Sequence, residues 1–424
     1  MTVLILTYYW PPAGGPGVQR ILKFAKYLPE FGIRPVILTV KNGEYPARDE
    51  TLIQDVPPEM PVHQTFSLEP YALYRRFSGQ TGNDPIPTYV LTESSHSLSK
   101  RLAALIRANL FIPDARIGWL PYALQAAKRL SRTYSFDAVI STAPPMSTHL
   151  SAAAIAKQLN CRWVADFRDP WTDVFYYHAL KRSRLAQGLD RWLERRVLRA
   201  ADAVVTVSPS IIRLFRSKTD NDYHLIPNGY DRTAFAPVAP LPPDGKFHIL
   251  HAGHLADNQN PAALWKALAT LCRQSTELAD TLQIDLYGGI HQRVSDDLTA
   301  NGLSKQVVYH GYQPHHRIIA AYKQADLLFF AVPDCRHNSG ILTSKLFDYL
   351  GADTPILGIG PETGDAASIL KRTHAGRVFD YRAHDALANW LLKLFKGKNS
   401  LKRRHIEDYE RKHLTGKLAK IVRG

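Results

Sequence analysis

Val3-Leu-Ile-Leu-Thr7 runs into Tyr8-Tyr-Trp-Pro-Pro-Ala-Gly-Gly-Pro-Gly17, which opens onto Val18–Leu28, apolar at Ile21, Leu22, Ala25 and Leu28. A short apolar run without polar alternation reads as a strand buried on both faces, and the spacing that follows reads as a helix with one apolar stripe. Strand, glycine-proline loop and helix make the first half of a βαβ unit, and Arg34–Val40 supplies its second strand. Small residues in such a loop allow close backbone approach, and the N–H groups of a helix start favour a phosphate or another anion. A tight turn needing glycine geometry explains the loop equally well. It lacks the G-x-G-x-x-G fingerprint, and no acidic residue closes the second strand to hold a ribose.

The same alternation continues through Ala138–Ser141, Trp163–Asp166, Ala203–Val207 and His224–Pro227. A second series follows at Phe247–His251, Gln283–Tyr287, Val307–His310, Leu327–Ala331 and Thr354–Ile359. Between the two series lies Pro237-Val-Ala-Pro-Leu-Pro-Pro-Asp-Gly245, whose prolines suit neither helix nor central strand and read as a stiff linker. The expectation is an α/β protein of two doubly wound parallel sheets, residues 1–236 and 246–395, followed by a basic C-terminal helix over 396–424. Residues 41–100 are proline-rich and irregular and read as an insertion on the first domain. Ligands of open α/β sheets bind beyond the strand C-termini, so two facing sheets predict a cleft between the domains.

A chain of 424 residues suits two domains, and 45% hydrophobic with 21% charged residues excludes a disordered protein. No uncharged apolar run has the ~18 residues of a membrane span, and the N-terminus does not read as a signal peptide. Cys161, Cys272 and Cys335 are too few and scattered for a disulfide framework or a cysteine-built zinc site, which fits a reducing cytoplasm. Lys and Arg number 53 against 38 Asp and Glu, a net charge of +15. The excess collects at residues 100–132 (+6), 181–199 (+5) and 393–424 (+8). Patches of this kind suggest a polyanionic partner, either anionic lipid or nucleic acid.

Chemistry-bearing residues cluster at strand ends. Ala165-Asp-Phe-Arg-Asp-Pro-Trp171 puts two carboxylates and a guanidinium after a buried strand, with Arg168 and Asp169 either meeting a ligand or pairing with each other. His251-Ala-Gly-His254 forms a second glycine-bearing edge. Asn338-Ser-Gly-Ile-Leu-Thr-Ser-Lys345-Leu-Phe-Asp348 places a polar cap before a short helix. Helix N–H groups plus the Lys345 ammonium suit a diphosphate, and Asp348 one turn on suits ribose hydroxyls. An exposed i,i+3 pair is the plainer account of the same two residues. Asp220-Asn-Asp222 reads as a turn, and His310, His315 and His316 lack a zinc-binding arrangement. There is no G-x-S-x-G elbow and no Walker loop, so neither a metal nor a cofactor is expected.

These features, in this order, resemble the GT-B nucleotide-sugar glycosyltransferases, specifically the large retaining, family 4-like group. The markers are the N-terminal Tyr-Trp-Pro-Pro-x-Gly-Gly loop, Pro227-Asn-Gly-Tyr-Asp231, His251-Ala-Gly253, Val307-Val-Tyr-His-Gly311, Ala325-Asp326 and Lys345-Leu-Phe-Asp348-Tyr-Leu. Ala165–Trp171 with Ser141-Thr-Ala-Pro-Pro-Met-Ser-Thr-His149 resembles a bacterial branch that builds surface polysaccharides.

The resemblance implies a donor site in which Gly14 and Gly15 approach the sugar and its diphosphate. Gly253 and His254 pass close to the phosphates, and Gly311, Tyr312 and Gln313 line the nucleobase pocket. Ser339, Gly340, Leu342 and Thr343 meet the transferred sugar, and Asp348 grips the ribose. Asp169, Arg168 and Lys345 are the candidate catalytic groups, acting without a metal. Four positions depart from the family. His254 and Gln259 stand where it carries an Arg and a Lys, Gly340 stands in place of the first of its paired glutamates, and Arg168 replaces a histidine. The implied partners are a nucleotide-sugar donor and a saccharide or polyprenol-linked acceptor. The basic stretch 100–112 is a candidate contact with the inner face of the plasma membrane. Nucleic acid is not expected, because the basic segments lack interleaved aromatics. The alternatives are a non-catalytic binding protein on the same fold and a nucleotide-sugar epimerase.

Overall fold

The computed structural model describes residues 1–68, 108–175, 177–397 and 401–424. The chain divides into two units, Met1–Pro227 with Leu414–Gly424, and Asn228–His413. In the first, the strands are β1 (Thr2–Leu6), β2 (Arg34–Val40), β3 (Val62–Thr65), β4 (Ala138–Ala143), β5 (Arg162–Phe167), β6 (Ala203–Thr206) and β7 (Tyr223–Leu225). Among the described residues they form a seven-stranded sheet in the order β3-β2-β1-β4-β5-β6-β7, with every pairing parallel. The helices are α1 (Pro16–Tyr27), α2 (Leu120–Leu130), α3 (Ser147–Leu159), α4 (Arg184–Ala200) and α5 (Pro209–Arg216).

The second unit's strands are β8 (Phe247–Ala252), β9 (Leu282–Tyr287), β10 (Val307–Gly311), β11 (Leu327–Ala331), β12 (Ile356–Ile359) and β13 (Gly376–Phe379). Their order, β10-β9-β8-β11-β12-β13, repeats the first six strands of the other sheet. Its helices are α6 (Arg232–Phe235), α7 (Ala262–Gln274), α8 (Thr276–Thr281), α9 (Gln292–Ala300), α10 (His315–Gln324), α11 (Ser344–Gly351), α12 (Asp365–Thr373) and α13 (His384–Phe395). The last helix, α14 (Arg411–Arg423), belongs to the first unit from Leu414 onward. No helix among the described residues is long and apolar enough to cross a membrane.

Central strands carry uninterrupted apolar runs because both their faces are covered. Leu4 and Leu6 pack with Trp163 and Leu198 on one side of β1, while Val3 and Ile5 pack with Phe24 and Ile21 on the other. Four features differ from the sequence expectation. The insertion contains β3, whose residues pair with Ile37–Val40 at the sheet edge. The expected strand Thr354–Ile359 begins two residues later, since Pro355 accepts from Leu328 N but has no N–H to give.

The proline-rich stretch 237–245 lies wholly inside the second unit, and the division falls at Pro227/Asn228. Contacts ahead of the prolines explain this. Tyr230 N donates to Tyr409 O (3.1 Å), Arg411 N donates to Tyr230 O (2.8 Å), and Lys323 Nζ donates to the carbonyls of Phe235 and Val238 (2.6 and 2.7 Å). Lastly, the basic tail is not one helix over 396–424: its long helix starts only at Arg411, behind a short turn at Glu407–Tyr409. Leu414, Leu418, Ala419 and Val422 of α14 are buried with Val3, Ile5 and Ile37. Residues 69–100 of the insertion and most of the 100–112 stretch lie outside the described residues.

A polar network ties the opening of β8 to its neighbours. His248 Nδ1 meets Asp285 Oδ2 (2.7 Å), His248 Nε2 meets Asp244 Oδ1 (3.0 Å), and Asp285 Oδ1 meets His310 Nε2 (2.7 Å). The Asp285 hydrogen bond, opposed by burial and helped by Asp244, raises the His248 pKa from 6.5 to about 9. A raised pKa contributes stability that is complete below the unfolded value and disappears as pH climbs through the folded one. The melting temperature is therefore expected to fall between pH 6.5 and 9. In His248→Gln this slope should flatten; an identical slope in both proteins would exonerate the histidine.

Candidate active site

Each sheet reverses its strand order at one place, between β1 and β4 in the first unit and between β8 and β11 in the second. Open α/β sheets bind ligands beyond the strand C-termini at such a reversal. The strand ends of each unit carry their own set of candidate residues.

In the first unit, the loop after β1 is held against the loop after β2: Gly14 N donates to Ala47 O and Asp49 N to Pro12 O, both at 2.9 Å. Three glycines serve three purposes there. A Cβ on Gly14 would come within 3.2 Å of the Asp49 Cβ, so this position is packed tight. Gly15 caps α1 at φ +105, a conformation that L side chains rarely adopt. A Cβ on Gly17 would lie 1.0 Å from Arg168 Nη1, so the Arg168 guanidinium fills the space over the first turn of α1. Arg168 Nε donates to Ala143 O (3.0 Å) and Nη2 to Pro144 O (2.5 Å), which fixes that guanidinium beside a helix N-terminus. The sequence marked Gly14 and Gly15 for close ligand approach; Gly17 escaped notice, because its reason is a residue 151 positions away.

The three charged residues after β5 have separate fates. Asp166 is taken by Arg20 of α1, whose Nε and Nη2 reach the carboxylate at 2.8–3.2 Å. Thr142 Oγ1 adds a bond of 2.9 Å. Asp169 receives no hydrogen bond or ion pair from the described residues, and burial raises its pKa against the pull of Arg168. Nearby His149, paired with Ser141 Oγ at 2.8 Å, is held neutral by burial, which lowers its pKa to about 3.

In the second unit, the chain leaves β8 at Gly253 with φ +114. A Cβ there would meet Lys345 Cε at 2.5 Å, so the lysine lies folded across the turn and its Nζ reaches His254 O at 3.3 Å. Tyr349 sets this placement. Its hydroxyl accepts from Ala252 N and donates to Phe329 O, both at 3.2 Å, and so pins α11 to β8 and β11. Lys345 is therefore not a surface partner of Asp348 alone. Burial lowers its pKa to about 8, with Asp348 holding the proton in place. Thr343 makes no side-chain cap at the start of α11, so the first-turn N–H groups face this corner uncapped by any side chain.

The remaining candidates are distributed around it. Gly288 N donates to Gly311 O (2.7 Å), and a Cβ on Gly288 would meet Gly253 O at 2.8 Å, so the ends of β8, β9 and β10 touch through glycines. Gln313 is turned back onto His310 O (3.0 Å), while Tyr312 is 82% exposed. Ser339 and Gly340 lie in the short turn Asn338–Gly340, held by Asn338 Nδ2 on Pro333 O (3.0 Å). Leu342 packs against the core of the unit. His254 is exposed, and Gln259 is occupied as a staple, donating to Ala331 O (3.2 Å) and accepting from Ala256 N (3.3 Å).

The family described as Glycosyl transferase 4-like domain matches residues 14–229, and the family described as Glycosyl transferases group 1 matches residues 234–413. Sucrose-phosphate synthase from Thermosynechococcus elongatus has a similar fold (TM-score 0.64, 15% identity, covering 100% of this chain and 98% of that one). So does Anabaena HepE in complex with UDP (0.61, 13%, 99% and 95%), as does the lipopolysaccharide outer core galactosyltransferase WaaB (0.58, 13%, 100% and 100%). No curated protein sequence matches. At these identities the structures speak for the fold, and the family matches span both halves of the chain: it belongs to the GT-B glycosyltransferases, with a 4-like first domain and a group 1 second domain.

Proposed function

We propose that this protein transfers a sugar from a nucleotide-sugar donor, with retention of configuration, to a lipid-linked saccharide during assembly of a bacterial surface polysaccharide. The observation that carries the donor assignment is the Lys345 ammonium folded over the Gly253 turn beside the uncapped start of α11. One positive charge and a set of N–H groups match a departing diphosphate. Asp348, one turn along the same helix, is assigned to the ribose hydroxyls, and the Gly311–Gln313 segment to the base. The acceptor is assigned to the strand-end groups of the first unit, where Asp169 orients or polarises its hydroxyl. As the bond from the anomeric carbon to the phosphate breaks and the bond to the acceptor oxygen forms, the leaving phosphate oxygen takes the acceptor's proton. No dedicated base is then needed. No metal is invoked: the charge is supplied by Lys345. WaaB, which shares the fold, is by name a lipopolysaccharide galactosyltransferase, which supports the choice of pathway.

A thermal-shift screen against UDP-, GDP-, ADP- and dTDP-sugars tests the donor assignment. A ligand at 100 times its dissociation constant adds about 2.7 kcal/mol of stability. A selective shift names the base, and NMR of the product's anomeric proton decides retention. Asp348→Ala is expected to weaken the selected donor by about 10- to 100-fold, the equivalent of losing charge-assisted hydrogen bonds of about 1.5–3 kcal/mol. Equal affinity in the two proteins, by calorimetry, would remove Asp348 from the site. The second reading, a binding protein that does not transfer, draws on Gln259, whose side chain is spent on Ala256 and Ala331 where the family resemblance calls for a cation. Donor binding without any turnover would select it.

A further inference from the structure

Helix α4 carries two acids, Asp190 and Glu194, and both point inward. Asp190 accepts from Trp171 Nε1 and Tyr177 Oη at 2.7 Å and pairs with Arg182, while Glu194 is bonded by Lys218 Nζ at 2.8 Å and Thr172 Oγ1 at 2.6 Å. The helix is thereby locked onto the segment that follows Asp169. With both acids buried, the outward surface of α4 is left with cations only: Arg184, Arg191, Arg195, Arg196 and Arg199 are all exposed.

Between these cations runs an exposed apolar stripe. Leu185, Leu189 and Trp192 follow the i, i+4, i+7 spacing of one helix face, and they are 88%, 45% and 52% exposed. Asn109 Oδ1 accepts from Ser183 N (2.7 Å), which sets Leu110, itself 74% exposed, beside the first turn of the helix. Arg196 lies over the Trp192 ring at 5.2 Å. In the middle of this face sits Gly188, with no atom within 4 Å of where its Cβ would be. A mid-helix glycine with no neighbour to make room for has no packing reason. It lies in a groove lined with it by Arg191, Trp192, Arg195, Arg196 and Arg199.

An arginine-lined groove selects a phosphate, and a leucine-tryptophan stripe beside it selects the apolar boundary beneath phosphates. We infer that the outer face of α4 docks the protein on the anionic surface of a lipid bilayer, with Leu185, Leu189 and Trp192 entering the headgroup layer and the arginines meeting lipid phosphates. Nucleic acid would match the cations but leave the leucines without a function. The inference deepens the lipid-linked acceptor reading and rests on it for the purpose of docking, though not for the residues. It places the contact on residues 184–199, with Leu110 of the 100–112 stretch beside them.

The test uses the full chain and sonicated phosphatidylcholine vesicles with and without phosphatidylglycerol. Flotation is expected with the anionic vesicles only, and to weaken as salt rises. Each arginine near an anionic surface is worth about fivefold in partitioning, so Arg191→Ala, Arg195→Ala and Arg199→Ala together should lower it about a hundredfold. Brominated lipid should quench the native protein's fluorescence, and Trp192→Phe should abolish the quenching. All these side chains are exposed, so the melting temperature and the nucleotide-sugar thermal shift should stay as in the native chain. A lost donor shift with flotation intact would count against the catalytic reading alone. Failure to float, flotation unaffected by the triple substitution, tighter binding to duplex RNA than to vesicles, or a dimer that the substitutions dissolve would each overturn the docking inference.

Discussion

Replacing Asp166 with Ala is expected to destabilise the protein by about 3–5 kcal/mol, because it leaves the Arg20 guanidinium charged, buried and without its counter-ion. Both side chains are essentially sealed from solvent. The guanidinium is committed on every side, since it also donates to the carbonyls of Ile226 and Pro227 at 2.8 Å. It cannot swing out to find water. Burial pushes the Asp166 carboxyl up, but Arg20, Arg168 and Thr142 outweigh that and hold it below its usual value. A depressed pKa contributes stability that is present at neutral pH and lost as the pH falls through the folded value. Domains of this size are stable by about 5–15 kcal/mol, so the variant should lose a large part of its margin. The double variant Arg20→Met with Asp166→Leu should recover only part of the loss, since the two carbonyls stay unsatisfied. Urea denaturation checks both points; a single variant within about 0.5 kcal/mol of the native protein would mean that water reaches the pair.

The second large effect is catalytic. Lys345→Met should lower kcat by about 100- to 1,000-fold, the range seen when a preorganised group is removed from developing negative charge. Its packing is expected to survive, because methionine can follow the same path over Gly253. The melting temperature should therefore stay close to that of the native protein. With the ammonium's pKa lowered to about 8, native turnover should decline as the pH passes 8 and the charge is lost, and the variant should lack that alkaline limb. Turnover within threefold of native would place the diphosphate elsewhere. Lys345→Arg is not a conservative rescue here, since a planar guanidinium fork differs in shape from the ammonium that the lysine carries over the Gly253 turn.

What the sequence disclosed was local. Fully buried strands announce themselves as apolar runs, so β1, β2 and β11 are legible to within a residue. β13 is not, because Gly376-Arg-Val-Phe379 is short and begins with a glycine and a cation at a sheet edge. The prolines of 237–245 were legible as extended chain, but whether extended chain joins two bodies or lies against one is decided by Tyr230 and Lys323, residues without a local signal. The candidate site divides the same way. Gly15 and Gly253 are where turn geometry requires them, whereas the choice between Asp166 and Asp169 depended on Arg20, 146 residues earlier. Lys345 and Asp348 read as an i,i+3 pair on any helical wheel; only the Tyr349 anchor turns the lysine toward Gly253.

The first unit is assembled from two stretches separated by the whole of the second, since α14 fills the gap over Val3, Ile5 and Ile37. Translation delivers those stretches at very different times. Until residues 414–424 emerge, a growing chain exposes the apolar seat of α14, while everything needed for the second unit is already out. The later-encoded body therefore completes its core first. Synthesis arrested before residues 414–424 emerge leaves a chain with one finished domain and one with an open, adhesive flank, a ready substrate for chaperones and proteases.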